Sequence, residues 1–239
     1  MAGRYRGYNP LTRHSSGMFT TDDLFPLVAD PSSLLCFWDT ADRLCHDGES
    51  EGIYDLSGND IPFWGAQTYG ISQRHDGFLD FSSATIMLQV APLTTAITNT
   101  TIQMVTDIPT TSEAVYLGGH GSGANGYWLS IGNGNILTPG NNLLGLFGNV
   151  RWIDTNYALG TGKMLITMIM VESSVPSFYK NTTSISGSFG GAPPLTPDTI
   201  SCLGYISPYN IPMGAGLFYS KQLSSAEISH NYDIFSSRW

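Results

Sequence analysis

From residue 34 to residue 219 the chain is a succession of short apolar segments divided by clusters of Gly, Pro, Ser, Thr and Asn. This punctuation leaves little room for long helices and is the pattern of an all-β sandwich or barrel. Segments 34–38, 78–81 and 86–90 come first, the last with Ile86, Leu88 and Val90 on one face. In segment 102–108, Ile102, Met104, Thr106 and Ile108 alternate with Gln103, Val105 and Asp107, which predicts a half-buried strand. Segments 114–117 and 127–131 flank a glycine-rich stretch, 118–126, expected to be a hairpin loop. Segment 143–147 follows, then 163–172, a nearly continuous apolar run suited to a sheet centre. Segments 176–180, 199–206 and 213–219 complete the set. About a dozen strands with so little helix predict a two-sheet jelly-roll sandwich.

The clear helix signal lies beyond the last strand. Ser224 followed by Glu227 is a capping box, with Ser224 as N-cap and Glu227 at the third helical position. Leu223 before the cap and Ile228 after it are spaced to form a hydrophobic staple. At the other end, residues 1–30 have little periodicity and run into Asp30-Pro31. They are read as an extended basic arm, residues 31–239 as one domain.

Charge sharpens that division. Residues 1–21 hold Arg4, Arg6 and Arg13 and no acid, whereas the whole chain carries a net charge of −9. The body is therefore strongly acidic, which argues against nucleic-acid binding through the main domain, since phosphates need a basic footprint. The arm suits an acidic neighbour in an assembly. With 41% hydrophobic and only 12% charged residues, the chain can bury a large core and have part of its surface covered by other subunits. Cys36, Cys45 and Cys202 show neither a disulfide framework nor zinc spacing, so reduced buried thiols are expected. The N-terminus lacks the apolar core of a signal peptide, and the longest apolar run, 164–171, is too short to span a bilayer. A protein made in the cytoplasm with no membrane partner is the expectation.

Five segments, in order, resemble the concanavalin A-like lectin/glucanase domains of the laminin-G-like type. Leu34-Leu-Cys-Phe-Trp-Asp-Thr-Ala-Asp42 is similar to the family's opening strand, and Tyr54-Asp-Leu-Ser-Gly-Asn59 to the turn that follows. Gly77-Phe-Leu-Asp-Phe81 is similar to a short strand, and Phe178-Tyr-Lys-Asn181 to a hairpin that normally has Gly after the Asn. Gly216-Leu-Phe-Tyr-Ser-Lys-Gln-Leu-Ser-Ser-Ala-Glu-Ile228 resembles the closing strand and capped helix. The trailing segment from Asn231 to Trp239 is similar to the C-termini of bacteriophage virion proteins with this domain. The resemblance implies a multi-copy virion structural protein without enzymatic activity, decorating the capsid or attached to the tail beside other virion proteins. Two alternatives stand beside it: a carbohydrate-binding adhesin module for host surface glycans, and a glycanase.

The residues themselves rank these. A glycanase on this fold needs two carboxylates flanking the scissile bond, and no Glu-x-Asp-x-Glu strand occurs. Glu49, Glu51 and Asp55 come nearest but sit among turn residues. Gly121-Ser-Gly-Ala-Asn-Gly126 matches a dinucleotide fingerprint in letters only, because a strand follows where a helix is required. His46-Asp47 and His75-Asp76 lack a nucleophile elbow and read as turn residues, so no catalytic residue is assigned. Asp39, Asp42, Asp55, Asn59 and Asp60 have the oxygen chemistry for calcium, with turn capping by Asx side chains as the competing role. Sugar stacking would use aromatics near strand ends, namely Trp128, Trp152, Tyr157 and Tyr209. No cofactor is expected.

Overall fold

The computed structural model describes residues 28–42, 45, 55–59, 63–64, 72–73, 76–80, 86–87, 89–90, 99–108, 115–118, 127–131, 142–147, 150–158, 160–171, 174, 177–185, 188–190, 205–206 and 212–239. Arg4, Arg6, Arg13, Asp60, Cys202 and Tyr209 lie outside them. Among the described residues the fold is an all-β antiparallel sandwich of two main sheets with a short C-terminal α-helix.

The strands number in chain order β1 (Leu34–Asp39), β2 (Phe63–Trp64), β3 (Ser72–Gln73), β4 (Leu79–Asp80), β5 (Ile86–Met87), β6 (Gln89–Val90) and β7 (Asn99–Ile108). There follow β8 (Val115–Gly118), β9 (Tyr127–Ile131), β10 (Asn142–Phe147), β11 (Val150–Ala158) and β12 (Gly162–Val171). Then come β13 (Ser177–Lys180), β14 (Thr183–Ile185), β15 (Ser188–Gly190), β16 (Tyr205–Ile206), β17 (Met213–Tyr219) and the helix α1 (Ser225–Ser236). The larger sheet runs β14-β13-β12-β7-β17-β4-β3, with β1 also paired to β17. The smaller runs β15-β11-β10-β9-β8. Segment 86–90, expected as one strand, divides between two partners: β5 pairs with β16 and β6 with β2.

Register sorts the larger sheet into two covered faces. Ile102 and Met104 of β7, Ile166 and Met168 of β12, Trp38 of β1 and Phe218 of β17 share one face and are all buried. The other face holds Thr101, Gln103, Val105, Leu165, Thr167, Leu217 and Tyr219, equally buried. The half-buried expectation for β7 is therefore wrong. Gln103 is 0% exposed because α1 covers that face, with Ile228, Asn231 and Phe235 buried. A strand covered on both sides must satisfy its polar side chains internally; Thr101, Gln103 and Thr106 do so, while the hydroxyl of Thr100 is buried without a partner.

The capping box forms as expected. Glu227 N–H donates to Ser224 Oγ, and Ser224 N–H donates to Glu227 Oε2 at 2.7 Å. Leu223 and Ile228 are each 1% exposed, as a staple requires. In the β13–β14 hairpin Asn181 itself takes the left-handed conformation, φ 57°, so no Gly is needed after it. Its backbone and side chain both bond Leu165 of β12, which ties the hairpin back to the sheet.

Candidate functional site

The aromatic residues named as sugar contacts fall mainly in the smaller sheet. Trp128 lies on β9, and Trp152 and Tyr157 lie on β11, with β10 between those strands. Leu146 of β10 pairs with Trp128 on one side and Arg151 on the other. The adjacent β10 position, Gly145, pairs with Leu129 and Trp152. Successive positions of a strand belong to opposite faces. The register thus sets Trp128 and Trp152 on different faces rather than in one platform. The β10–β11 register shifts between Asn142 and Leu144, which separates Tyr157 from the regular part of the ladder. No single-letter pattern reveals this parity, because it is set by pairing across strands.

Three of the residues considered for calcium, Asp39, Asp55 and Asn59, are held by protein groups. Asp55 Oδ1 accepts from the Phe37 N–H at 2.9 Å and from the Ser57 N–H at 2.9 Å, and Oδ2 accepts from Ser57 Oγ at 2.7 Å. Asn59 Nδ2 donates to the Leu34 carbonyl at 2.8 Å. Together they fasten loop 55–59 along the edge of β1, the role of Asx turn residues. Asp39 is buried, accepts from Ala41 N–H at 3.1 Å and pairs with Arg238 just beyond α1. Burial pushes its carboxyl above the ordinary carboxylate range although Arg238 pulls it down. Among the described residues, no group of three or more His, Cys, Asp or Glu side chains stands close enough to hold a metal ion. Cys36 and Cys45 are buried and not disulfide-bonded, and burial followed by the charge of Asp55 keeps the Cys36 thiol protonated.

A second polar assembly, unforeseen from the sequence, joins the start of the domain to α1. Asn231 Nδ2 donates to Gln103 Oε1 at 2.6 Å and to Tyr219 Oη at 2.9 Å, while its Oδ1 accepts from Ala29 N–H at 2.7 Å. Gln103 Nε2 passes the network on to Thr167 Oγ1 at 3.0 Å. Alongside it, Lys221 Nζ reaches Asp30 Oδ2 at 2.6 Å and Glu227 Oε1 at 2.7 Å. Those contacts pull the Asp30 carboxyl down to about 2, with Lys221 the main cause, and lower Glu227 as well. Val28 and Ala29 are consequently buried against the domain. Arg238, Phe235, Tyr232 and Trp239 finish the molecule: the guanidinium stacks over Phe235 at 5.4 Å, and Tyr232 meets Trp239 edge-on at 5.8 Å. No helix among the described residues is long and apolar enough to cross a membrane.

No protein-family model matches the sequence, and no curated protein does. Solved structures do share its fold. The binding domain of Paraclostridial Mosquitocidal Protein 1 is similar at TM-score 0.57 and 13% identity, covering 86% of this chain and 53% of that one. The botulinum neurotoxin serotype D ligand-binding domain in complex with N-acetylneuraminic acid is similar at TM-score 0.57 and 11% identity, covering 85% and 51%. Trypanosoma rangeli sialidase in complex with sialic acid is similar at TM-score 0.57 and 14% identity, covering 84% and 33%. The chain spans about half the length of the two toxin domains and a third of the sialidase. At these identities the likeness is one of fold: a β-sandwich of the kind found in binding domains.

Proposed function

We propose that this chain is a non-catalytic glycan-binding sandwich, borne in many copies on a bacteriophage particle and directed at host surface carbohydrate. The observation that carries the binding role is the fold itself, shared over about 85% of the chain with receptor-binding domains, one of them holding N-acetylneuraminic acid. Trp128 on β9 and Trp152 and Tyr157 on β11 are the residue types that would stack on sugar rings. The non-catalytic part is supported by the engagement of five carboxylates: Asp30 with Lys221, Asp39 with Arg238, Asp55 with backbone and Ser57, Asp76 with Lys163, and Glu227 with Lys221.

Mounting on a virion is supported by the resemblance of the segment from Asn231 to Trp239, and by Ala29 docking on Asn231. That contact fastens residue 29 beside α1. A glycan array probed with the full chain tests the reading. Retained glycans are expected, with no turnover of any of them. An array without hits sinks the binding role, and hydrolysis abolished by a single Asp or Glu substitution sinks the non-catalytic one. Deletion of residues 1–27 is expected to abolish incorporation into particles, and unchanged incorporation overturns the arm anchor.

A further inference from the structure

α1 covers only part of the face on which it lies. Asn231 is bonded to Gln103 of β7, and the register row through Gln103 runs Leu217–Gln103–Thr167–Tyr179–Ser184 across β17, β7, β12, β13 and β14. A helix with its side chains is about 10 Å across. Seated over β7, it therefore reaches about one strand spacing, roughly 4.8 Å, to either side. Burial follows that shadow: Leu217 and Thr167 are fully buried, Tyr179 is half-buried and Ser184 is exposed. Ser177, two positions before Tyr179 and so on the same face, is exposed as well. β13 and β14 thus form an open ledge beside the helix.

The flank of α1 above that ledge is identified by the opposite one. Glu227 reaches Lys221, which also holds Asp30 before β1, and Arg238 reaches Asp39 at the end of β1. That flank is turned towards β1, and Ile228, Asn231 and Phe235 are buried beneath the helix. The remaining flank therefore looks across β12 to β13. Tyr232 and Ser236, one turn apart, lie on it, and Trp239 meets Tyr232 edge-on at 5.8 Å. Trp239 is 36% exposed yet held in place. Its N–H donates to the Ser236 carbonyl at 3.3 Å, and Arg238 before it is fastened to Asp39 and over Phe235.

We infer that this ledge and flank bind a neutral oligosaccharide, one sugar ring lying between Tyr179 and Trp239. The inference rests on the glycan-binding reading above and gives it a site apart from the aromatic residues of β9 and β11. Two uncovered strands at about 4.8 Å each leave roughly 10 Å of open sheet, which takes one pyranose ring. Aromatic side chains receive the C–H face of a sugar. The phenols of Tyr179 and Tyr232 and the hydroxyls of Ser177, Ser184 and Ser236 can donate to and accept from sugar hydroxyls. Charge selects the class of sugar. Lys221 is engaged by Asp30 and Glu227, Arg238 by Asp39, and Lys163 by Asp76. Lys180 pairs with Ile166 and so belongs to the opposite face of the sheet. Asp233, next to Tyr232 in the chain, is exposed. A chain of net charge −9 repels an anionic sugar where no cation among the described residues is placed to receive it. A neutral sugar meets no such barrier.

The test probes the full chain on an array of neutral oligosaccharides, built of hexose or N-acetylhexosamine, beside sialylated and uronate-containing ones. Neutral glycans are expected to be retained, and the strongest of them is titrated by calorimetry and by NMR. W239A and Y179A are each expected to weaken that glycan about tenfold, with W239F restoring part of the loss. H230A, exposed on the far side of α1, is expected to bind as the parent does. In the parent, the indole N–H resonance that W239F deletes is expected to shift on titration, a readout that does not depend on whether Y179A folds. Affinity preserved in both W239A and Y179A, or an indole resonance that does not move, overturns the site while glycan binding stands. Hits confined to carboxylated glycans overturn the neutral class and the inference with it. An array with no hits removes the glycan-binding reading and this inference together.

Discussion

The side-chain amide of Asn231 donates to Oε1 of Gln103 at 2.6 Å, joining α1 to the middle of β7. Both residues are 0% exposed. The same amide also holds Tyr219 and the backbone of Ala29, so one side chain settles the position of the helix, two central strands and residue 29. A buried polar group of this kind is costly to leave half-satisfied and rigid when complete.

Asn231→Ala strands Gln103, Tyr219 and the Ala29 N–H together. A loss of about 3 kcal/mol is expected, since each orphaned buried group carries a penalty of its own. Urea denaturation of the parent and the variant measures it, and a midpoint unchanged within error counts against the network's role.

Gly216→Ala meets a different obstacle. Gly216 pairs with Trp38 across β1 and β17, and an added Cβ would overlap the Trp38 indole. Trp38 is fully buried and has no room to retreat. The expected cost is about 2 kcal/mol or more, with an altered near-ultraviolet signal from the indole.

Asp39 makes stability depend on pH in an unusual direction. Its native carboxyl is raised by burial, so the folded protein holds that proton more tightly than the unfolded chain does. The group's contribution therefore falls as pH rises from the ordinary value of 3.8 through the raised native one. Arg238→Gln removes the partner that opposes the shift and steepens the fall. The variant is expected to match the parent near pH 4 and to lie roughly 2 kcal/mol below it at pH 7, less than for a wholly buried pair because Arg238 is 38% exposed. Asp39→Asn removes this titration, and the fall in stability that it causes is expected to disappear.

Asp30 works the other way. Its native pKa of about 2 lies below the ordinary 3.8, so the unfolded chain takes up the proton first. The stability it contributes is complete above pH 4 and is lost as the pH falls from 4 to 2. Carbon-detected titration of the Asp30 carboxyl is expected to show the low value in the parent and a rise in Lys221→Met. Asp30→Asn is expected to flatten the acid limb of the stability curve.

How far the sequence anticipated all this differs from element to element. The helix was legible because its signals are local: Ser224, Glu227, Leu223 and Ile228 lie within six residues. Strand β12 was legible because it is apolar on both faces, and β10 because glycine and asparagine bound it. Strand β11 was missed because neither alternate set, Arg151-Ile153-Thr155-Tyr157 or Trp152-Asp154-Asn156, is apolar throughout. Its pairing with β10 and β15 overrides that weak local signal. The burial of Gln103 was hidden for a related reason, since a glutamine betrays its partner only when Asn231, 128 positions away, is seen beside it. The aromatic residues could be picked out by type, but their assignment to faces needed the register across three strands.

The meeting of β1 and β17 has a mechanical meaning. Leu34, at the start of one strand, pairs with Tyr219, at the end of the other, and Ser220 N–H bonds the Ser33 carbonyl just outside them. Tension drawn through residues 33 and 220 in opposite directions would load the rungs one at a time, as in a zip. Tension drawn through residue 28 alone falls first on the Ala29–Asn231 and Asp30–Lys221 bonds, ahead of the ladder. A pull entering at residue 28 thus meets two side-chain contacts before it reaches any strand, whereas one applied at residues 33 and 220 peels β1 from β17.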